Sequence, residues 1–195
     1  MIAIIDYGMG NIRSVENALR RAGAEWTLTD DAAVIGRADR VLLPGVGHCG
    51  EAMERLRGLG LTEVIRRLHR PVLGICVGMQ LMCRHTEEGD AECLGIFDAH
   101  VRRLPEAHGV KVPNMGWCRI SNTEGPLFKD MQKGEYAYFV HSYYAHNCSD
   151  TIATTRHGDR LISAALRWEN FYGVQFHPEK SGATGERIIR NFLNI

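Results

Sequence analysis

The feature that most constrains the fold is the alternation of short apolar strands with helices over the first 84 residues. The predicted strands are Met1–Asp6, Glu25–Thr29, Arg40–Pro44 and Pro71–Ile75. The predicted helices are Asn11–Ala22, a short turn after Asp30 or Asp31, Glu51–Leu56, Leu61–His69 and Val77–Arg84. Such alternation implies right-handed βαβ units, and therefore a parallel sheet with helices on both faces.

After about Gly89 the pattern changes to strands separated by Gly, Asn and Pro turn signals. The predicted strands are Leu94–Phe97, Val101–Leu104, Trp117–Ser121, Tyr136–Tyr144, Thr151–Arg156, Ile162–Arg167 and Phe171–Phe176. A helix at Gly185–Leu193 ends the chain. We therefore predict one α/β domain over residues 1–195. Its sheet is expected to be flavodoxin-like, open and mostly parallel, flanked by helices, with extra antiparallel strands in the second half.

Composition and charge exclude several classes of protein. Lys and Arg number 23, as do Asp and Glu, so the balanced total predicts neither a nucleic acid nor an anionic membrane as partner. No stretch approaches the ~18 apolar residues of a membrane span, and the N-terminus has no signal-peptide pattern. The six cysteines form no CxxC pair, so neither a zinc knuckle nor a thioredoxin-type motif is predicted. Without an export signal, reduced thiols in the cytoplasm are expected.

The sharpest chemical signal is a cysteine between two glycines at a strand-to-helix turn, in Gly74-Ile-Cys76-Val77-Gly78. This pattern is typical of a nucleophile elbow, in which the tight turn leaves no room for side chains on the glycines. The thiol would project at the carboxyl edge of the sheet, and the helix N-terminus would favour its thiolate. The alternative is a buried, inert cysteine, which the flanking glycines make the weaker interpretation.

A cysteine nucleophile needs a base, and His177 follows a predicted strand in Gln175-Phe-His177-Pro-Glu179. Glu179 is close enough to accept a hydrogen bond from the imidazole and fix its tautomer. His141 is the rival base, but no carboxylate lies near it in sequence. No pair of the other histidines has metal-ligand spacing, so we predict no metal and no cofactor. These histidines are His48, His69, His85, His100, His108, His146 and His157.

Two glycine-rich loops follow other predicted strands. The loop Pro44-Gly-Val46-Gly47 is where a second oxyanion N–H is expected, although a simple turn is the alternative. Gly8-Met9-Gly-Asn11-Ile-Arg13 mimics a dinucleotide-binding fingerprint. Arg13 occupies the place of its third glycine, so nucleotide binding is disfavoured.

The chain resembles class I glutamine amidotransferases through its elbow, its PGVG loop and its QFHPEKS segment. Within that class it is similar to the amidotransferase subunits of imidazole glycerol phosphate synthases. The blocks that carry the resemblance are residues 5–11, 44–47, 112–117, 138–144 and 177–181. They span nearly the whole chain. One departure is Cys118, where relatives often carry Asn, which puts one polar interface contact in doubt.

The resemblance implies a glutaminase with a Cys76–His177–Glu179 triad that hydrolyses glutamine to glutamate and ammonia through a glutamyl thioester. It implies that the N–H of Val77, and one from the Val46 region after a rearrangement, hold the oxyanion. The positions that contact glutamine in relatives are Gly47, Gln80, Ser142 and Tyr143.

The resemblance also implies a partner, a cyclase subunit with a (β/α)8 barrel that would complete a heterodimer. The cyclase would use the ammonia to make imidazole glycerol phosphate and an aminoimidazole carboxamide ribotide in histidine biosynthesis. The positions that match interface regions of relatives are Met9, Asn11, Trp117 and Lys180. Alternatives are the glutaminase of another amidotransferase, such as a pyridoxal phosphate synthase, an inactive binding module on the same fold, or a cysteine hydrolase on a related scaffold.

Overall fold

A computed structural model describes residues 1–106 and 110–195 of the chain. The first half alternates strands and helices as predicted. Its elements are β1 (Ile2–Ile5), α1 (Ile12–Arg21), β2 (Trp26–Thr29), α2 (Ala32–Arg37), β3 (Arg40–Leu43), α3 (Cys49–Gly58), α4 (Leu61–Arg66), β4 (Val72–Ile75) and α5 (Val77–Leu81). Helix α1 ends before Gly23, which adopts the positive φ of 72° that glycine tolerates.

The second half is mostly strands. Its elements are β5 (His85–Thr86), β6 (Ala91–Glu92), β7 (His100–Arg103), β8 (Asn114–Arg119), β9 (Tyr136–His141), β10 (Tyr143–Ala145), β11 (Thr151–His157), β12 (Arg160–Trp168), β13 (Phe171–Val174) and α6 (Gly182–Leu193). Short 3₁₀ turns occur at Pro126–Phe128 and Pro178–Lys180.

The central sheet has the strand order β11-β12-β13-β4-β3-β1-β2. The five strands from β13 to β2 pair in parallel, while β12 and β11 are antiparallel additions at one edge. The prediction of a mostly parallel sheet with antiparallel strands from the second half is therefore confirmed. The described residues also form a four-stranded sheet, β10-β7-β5-β6, and the two-stranded ribbon β8–β9.

Both faces of the central sheet are covered. Every residue of β1, β4 and β13 is buried, which requires packing on the two sides to which successive side chains point. Helix α1 contacts α6, whereas α3 contacts α4 and α5. Within the described residues, no helix is long and apolar enough to cross a bilayer.

The predicted strand Leu94–Phe97 is wrong. Its N–H groups instead bond to carbonyls at and just beyond the end of α5, with Leu94 N–H donating to Leu81 O over 2.8 Å and Ile96 N–H to Met82 O over 2.8 Å. These carbonyls have no intrahelical partner, so an apolar segment that could pair with a strand satisfies a helix end instead. The predicted strand Tyr136–Tyr144 is likewise interrupted, because the chain bends at Ser142.

Candidate active site

Cys76 lies in the turn between β4 and α5, with φ 55° and ψ −108°. A non-glycine residue with positive φ is strained, and such strain persists only where the surroundings hold it. Here Cys76 N–H donates to Val174 O over 2.8 Å, and Cys76 O accepts from Met79 N–H over 3.1 Å. The turn is therefore fastened both to the neighbouring strand and to its own helix.

The two glycines beside Cys76 are required by close packing. A Cβ on Gly74 would lie 2.6 Å from Gly78 O, and one on Gly78 would collide with the carbonyl oxygen of Leu43. A real Cβ atom essentially never lies this close to another heavy atom, so either side chain would force the turn apart. The steric reason for the predicted elbow is thus present in the packing.

His177 and Glu179 lie just beyond β13, the parallel neighbour of β4. The backbone of β9 holds their turn, because His177 N–H donates to Tyr138 O over 2.9 Å. Ser181 Oγ adds to this link by accepting from Tyr138 N–H over 2.9 Å and donating to His177 O over 2.7 Å. The strand β9 thereby fixes where the imidazole stands relative to Cys76.

The His177 and Glu179 side chains form a buried pair. His177 Nδ1 lies 2.8 Å from Glu179 Oε1, and both side chains are at most 2% exposed. Burial lowers the pKa of His177, but the neighbouring Cys76 and the hydrogen bond and charge of Glu179 outweigh burial and raise that pKa to about 10. A carboxylate only accepts, so Nδ1 carries the proton and Nε2 is left for the cysteine side. Among the described residues, Nε2 has no hydrogen-bond partner.

The sulfur of Cys76 has two further polar neighbours. It lies 3.8 Å from Val140 O and 3.6 Å from Gln175 Nε2. The sequence reasoning gave Gln175 no role. Its position two residues before His177 is the signal that could have found it, because alternate residues of an extended segment point to the same side.

A cavity of about 300 Å³ opens at Cys76. The predicted site residues that line it are Val46, Gly47, Cys76, Val77, Gln80, Ser142, Tyr143 and His177. Glu88, Pro113, Val140 and His141 complete the lining. Val77 is the first residue of α5, where backbone N–H groups have no intrahelical acceptor.

Gln80 is buried, and its amide group points into the protein as well as lining the cavity. Its Nε2 donates to Tyr143 O over 2.9 Å and to Gln175 Oε1 over 3.0 Å. Both protons of the amide nitrogen are therefore in use, which leaves Oε1 as the atom that can meet a ligand.

His141, the rival base, has both ring nitrogens engaged. Nδ1 lies 2.8 Å from Tyr143 O, so it must donate, and Nε2 accepts from Asn114 Nδ2 over 3.0 Å. Burial is the main reason that the pKa of His141 is lowered to about 4. The imidazole is held neutral with no free nitrogen, which disfavours a role as base.

The residues predicted to face a partner lie outside the cavity. Trp117 on β8 is 56% exposed and packs edge-on against Tyr138 of β9, and Lys180 is exposed. Met9 and Asn11 are half-buried in the loop after β1, where Met9 Cε packs beside Gly47. Residues 1–106 and 110–195 contain no cluster of three or more metal-ligating side chains, while His108 lies outside the described residues.

Comparison with known proteins identifies the family to which the chain belongs. The family model described as "Glutamine amidotransferase class-I" matches residues 3–195. The chain is 51% identical to the imidazole glycerol phosphate synthase subunit HisH of Bacteroides thetaiotaomicron, covering 100% of this chain and 99% of the relative. It is 46% identical to the subunit of the same name from Xanthomonas axonopodis pv. citri, covering 100% and 97%.

The chain belongs to the class I glutamine amidotransferases, in the family of HisH subunits. It is therefore an enzyme of the amidotransferase class. A solved structure entitled "Crystal structure of glutamine amidotransferase" has the same fold, with a TM-score of 0.76 at 19% identity over 100% of this chain and 98% of that one.

Proposed function

We propose that the chain is the glutaminase subunit of an imidazole glycerol phosphate synthase, with Cys76, His177 and Glu179 as its catalytic triad. The observation that carries the proposal is the buried His177–Glu179 pair, whose second ring nitrogen is left for a cysteine in a strained elbow. The family and the HisH relatives supply the substrate class.

The chemistry begins with a proton on His177. The pKa of His177 is raised to about 10, so the imidazole can hold the proton that it takes from the Cys76 thiol as the sulfur becomes the nucleophile. The thiolate attacks the side-chain amide carbon of glutamine, and the collapse of the tetrahedral adduct releases ammonia with the His177 proton. Water then attacks the glutamyl thioester, giving its proton to His177, and glutamate leaves as the Cys76 thiolate is restored beside the protonated imidazole.

We assign the binding of the oxyanion and of the substrate to groups that line the cavity. Val77 lines the cavity at the first residue of α5, so its N–H is our candidate for the oxyanion, and a second N–H would come from Val46 after its loop rearranges. Gln80 Oε1 can accept from the α-ammonium group of glutamine. The remaining proposed substrate contacts are Gly47, Ser142 and Tyr143.

The partner is proposed to be a cyclase subunit with a (β/α)8 barrel, forming a heterodimer. Met115, Trp117 and Tyr136 are large apolar residues of the β8–β9 ribbon and are 53–63% exposed. We assign the interface to this ribbon together with Met9, Asn11 and Lys180. In water at neutral pH, ammonia is mostly protonated to ammonium, which is a poor nucleophile. A route to the cyclase that is sealed from water would keep the ammonia unprotonated and reactive.

We further propose that residues 1–195 act as one domain, located in the cytoplasm, with no cofactor. One large apolar cluster extends from β1 to α6, which supports a single folding unit.

The test is glutamine hydrolysis by the chain with and without the cyclase and its nucleotide ligand, with Cys76→Ala as control. Ligand-dependent glutamate release that the substitution abolishes is the expected result. Activity that is independent of the cyclase but lost in Cys76→Ala would keep the triad and favour the glutaminase of another amidotransferase. No activity in any mixture would contradict the proposal and favour a binding module.

A further inference from the structure

Sheet register brings Gln175 beside Cys76. Strands β13 and β4 run in parallel with Val174 opposite Ile75. The next residue of each chain segment, Gln175 and Cys76, therefore leaves the sheet at the same level. Gln175 is fully buried there, and burying an unbonded amide would be unfavourable.

The hydrogen bonds fix which end of the Gln175 amide meets the sulfur. Tyr143 O can only accept, so Gln80 must turn its nitrogen toward it. The second proton of the same nitrogen then points at Gln175, which must present its oxygen, at 3.0 Å. The nitrogen of Gln175 is left 3.6 Å from Cys76 Sγ. The chain of contacts from Tyr143 through Gln80 thus aims an N–H donor at the sulfur.

We propose that Gln175 is a positioning residue for the nucleophile, donating an N–H to the sulfur and favouring the thiolate, with Gln80 holding it in that orientation. The inference rests on the proposed role of Cys76 and adds a second donor beside His177. A hydrogen bond to a charged acceptor is stronger than one to a neutral acceptor, so this contact stabilises the thiolate more than the thiol.

Other titratable groups near Cys76 cannot supply the same effect. His141 is neutral above about pH 4 and bonded at both nitrogens, and burial raises the pKa of Tyr7, whose hydroxyl donates to Pro44 O. Glu88 lines the cavity as an acceptor and donates nothing when ionised. Among the described residues, Gln175 Nε2 is the side-chain donor within hydrogen-bond distance of the sulfur, beside the proposed base His177.

The test is the rate at which iodoacetamide alkylates Cys76, followed across pH by mass spectrometry of the peptide that contains it. This readout does not depend on glutamine turnover. Gln175→Met keeps the bulk and removes the donor, so the midpoint of the profile should move up by about one pH unit, and alkylation below that midpoint should slow by about tenfold. Gln80→Met should move it in the same direction by less.

Gln175→Glu is a second variant, to be used if Gln175→Met does not fold. Glutamate has the shape of glutamine and can still accept from Gln80, but a carboxylate oxygen replaces the N–H group. This variant should also move the midpoint upward. Gln132→Met changes an exposed glutamine and should leave the profile unchanged. An unchanged profile in a folded Gln175 variant would overturn the inference even if glutamine hydrolysis is intact. A shifted profile without any hydrolysis would uphold it and reject the proposed function instead.

Discussion

Two histidines that line the same cavity have opposite electrostatic surroundings. His177, beyond β13, is 2% exposed, and His141, at the end of β9, is 6% exposed. Burial lowers the pKa of both. His177 has Cys76 and Glu179 as partners, which raise its pKa to about 10, whereas His141 has a carbonyl and an amide and stays near 4. Ionisable neighbours, rather than burial, therefore separate a proposed base from a structural histidine.

The largest effect expected from this comparison is on activity. His177→Asn should lower glutamine hydrolysis by about 10³- to 10⁴-fold, because the group that accepts and returns the proton is lost. His141→Asn should lower it by less than about tenfold, since asparagine can still donate toward Tyr143 O. Steady-state assays with the partner present, and melting curves for both variants, provide the measurement. Equal losses of glutamine hydrolysis in the two folded variants would contradict the different roles assigned to His177 and His141.

Glu179→Gln tests whether the carboxylate of Glu179 is the reason that the pKa of His177 is higher than that of His141. The amide oxygen can still accept from Nδ1, but the negative charge is gone, so hydrolysis should fall by about 10²- to 10³-fold. NMR titration of the imidazole should place the pKa of His177 well below about 10. If that pKa did not move in Glu179→Gln, the carboxylate would not be its cause.

The depressed pKa of His141 predicts an acid-side loss of stability. Because the folded pKa of about 4 lies below the ordinary 6.5, the unfolded chain binds the proton first as pH falls. The free energy of unfolding should therefore decrease from pH 6.5 to 4, by up to about 3 kcal/mol. Urea titrations of the wild type and His141→Asn should diverge across this window. Parallel curves would show that His141 is not protected from protonation.

Asn114→Asp would make the surroundings of His141 resemble those of His177. Asn114 Nδ2 lies 3.0 Å from His141 Nε2, so a carboxylate of the same shape should raise the pKa of His141 by about 1–2 units. This is the smallest effect of the series and is best read by NMR. An unchanged pKa would mean that desolvation dominates even beside a charge.

Sequence could predict the elements of the site that are local along the chain. The glycines at 74 and 78 pointed to the elbow, and Glu179 stands two residues from His177, so their pairing was visible. The alternation of strands and helices likewise predicted the parallel sheet, because it reflects burial on both faces.

What sequence could not predict depends on contacts between distant segments. Asn114, 27 residues from His141 in sequence, donates a hydrogen bond to His141 Nε2, so this nitrogen is not free to act as a base. Gln80 orients the amide of Gln175, which is 95 residues away in sequence. The segment Leu94–Phe97 has strand-like composition, yet it satisfies carbonyls at and just beyond the end of α5. In each case a hydrogen-bond partner chosen by tertiary structure overrides the local pattern.

The most direct test of the central claim is to trap the nucleophile with a diazoketone analogue of glutamine and locate the label by peptide mass spectrometry. The account predicts one label, on Cys76, with labelling lost in Cys76→Ala and strongly slowed in His177→Asn. A label on any of the other cysteines at 49, 83, 93, 118 or 148, or glutamine hydrolysis that survives Cys76→Ala, would contradict the proposed triad.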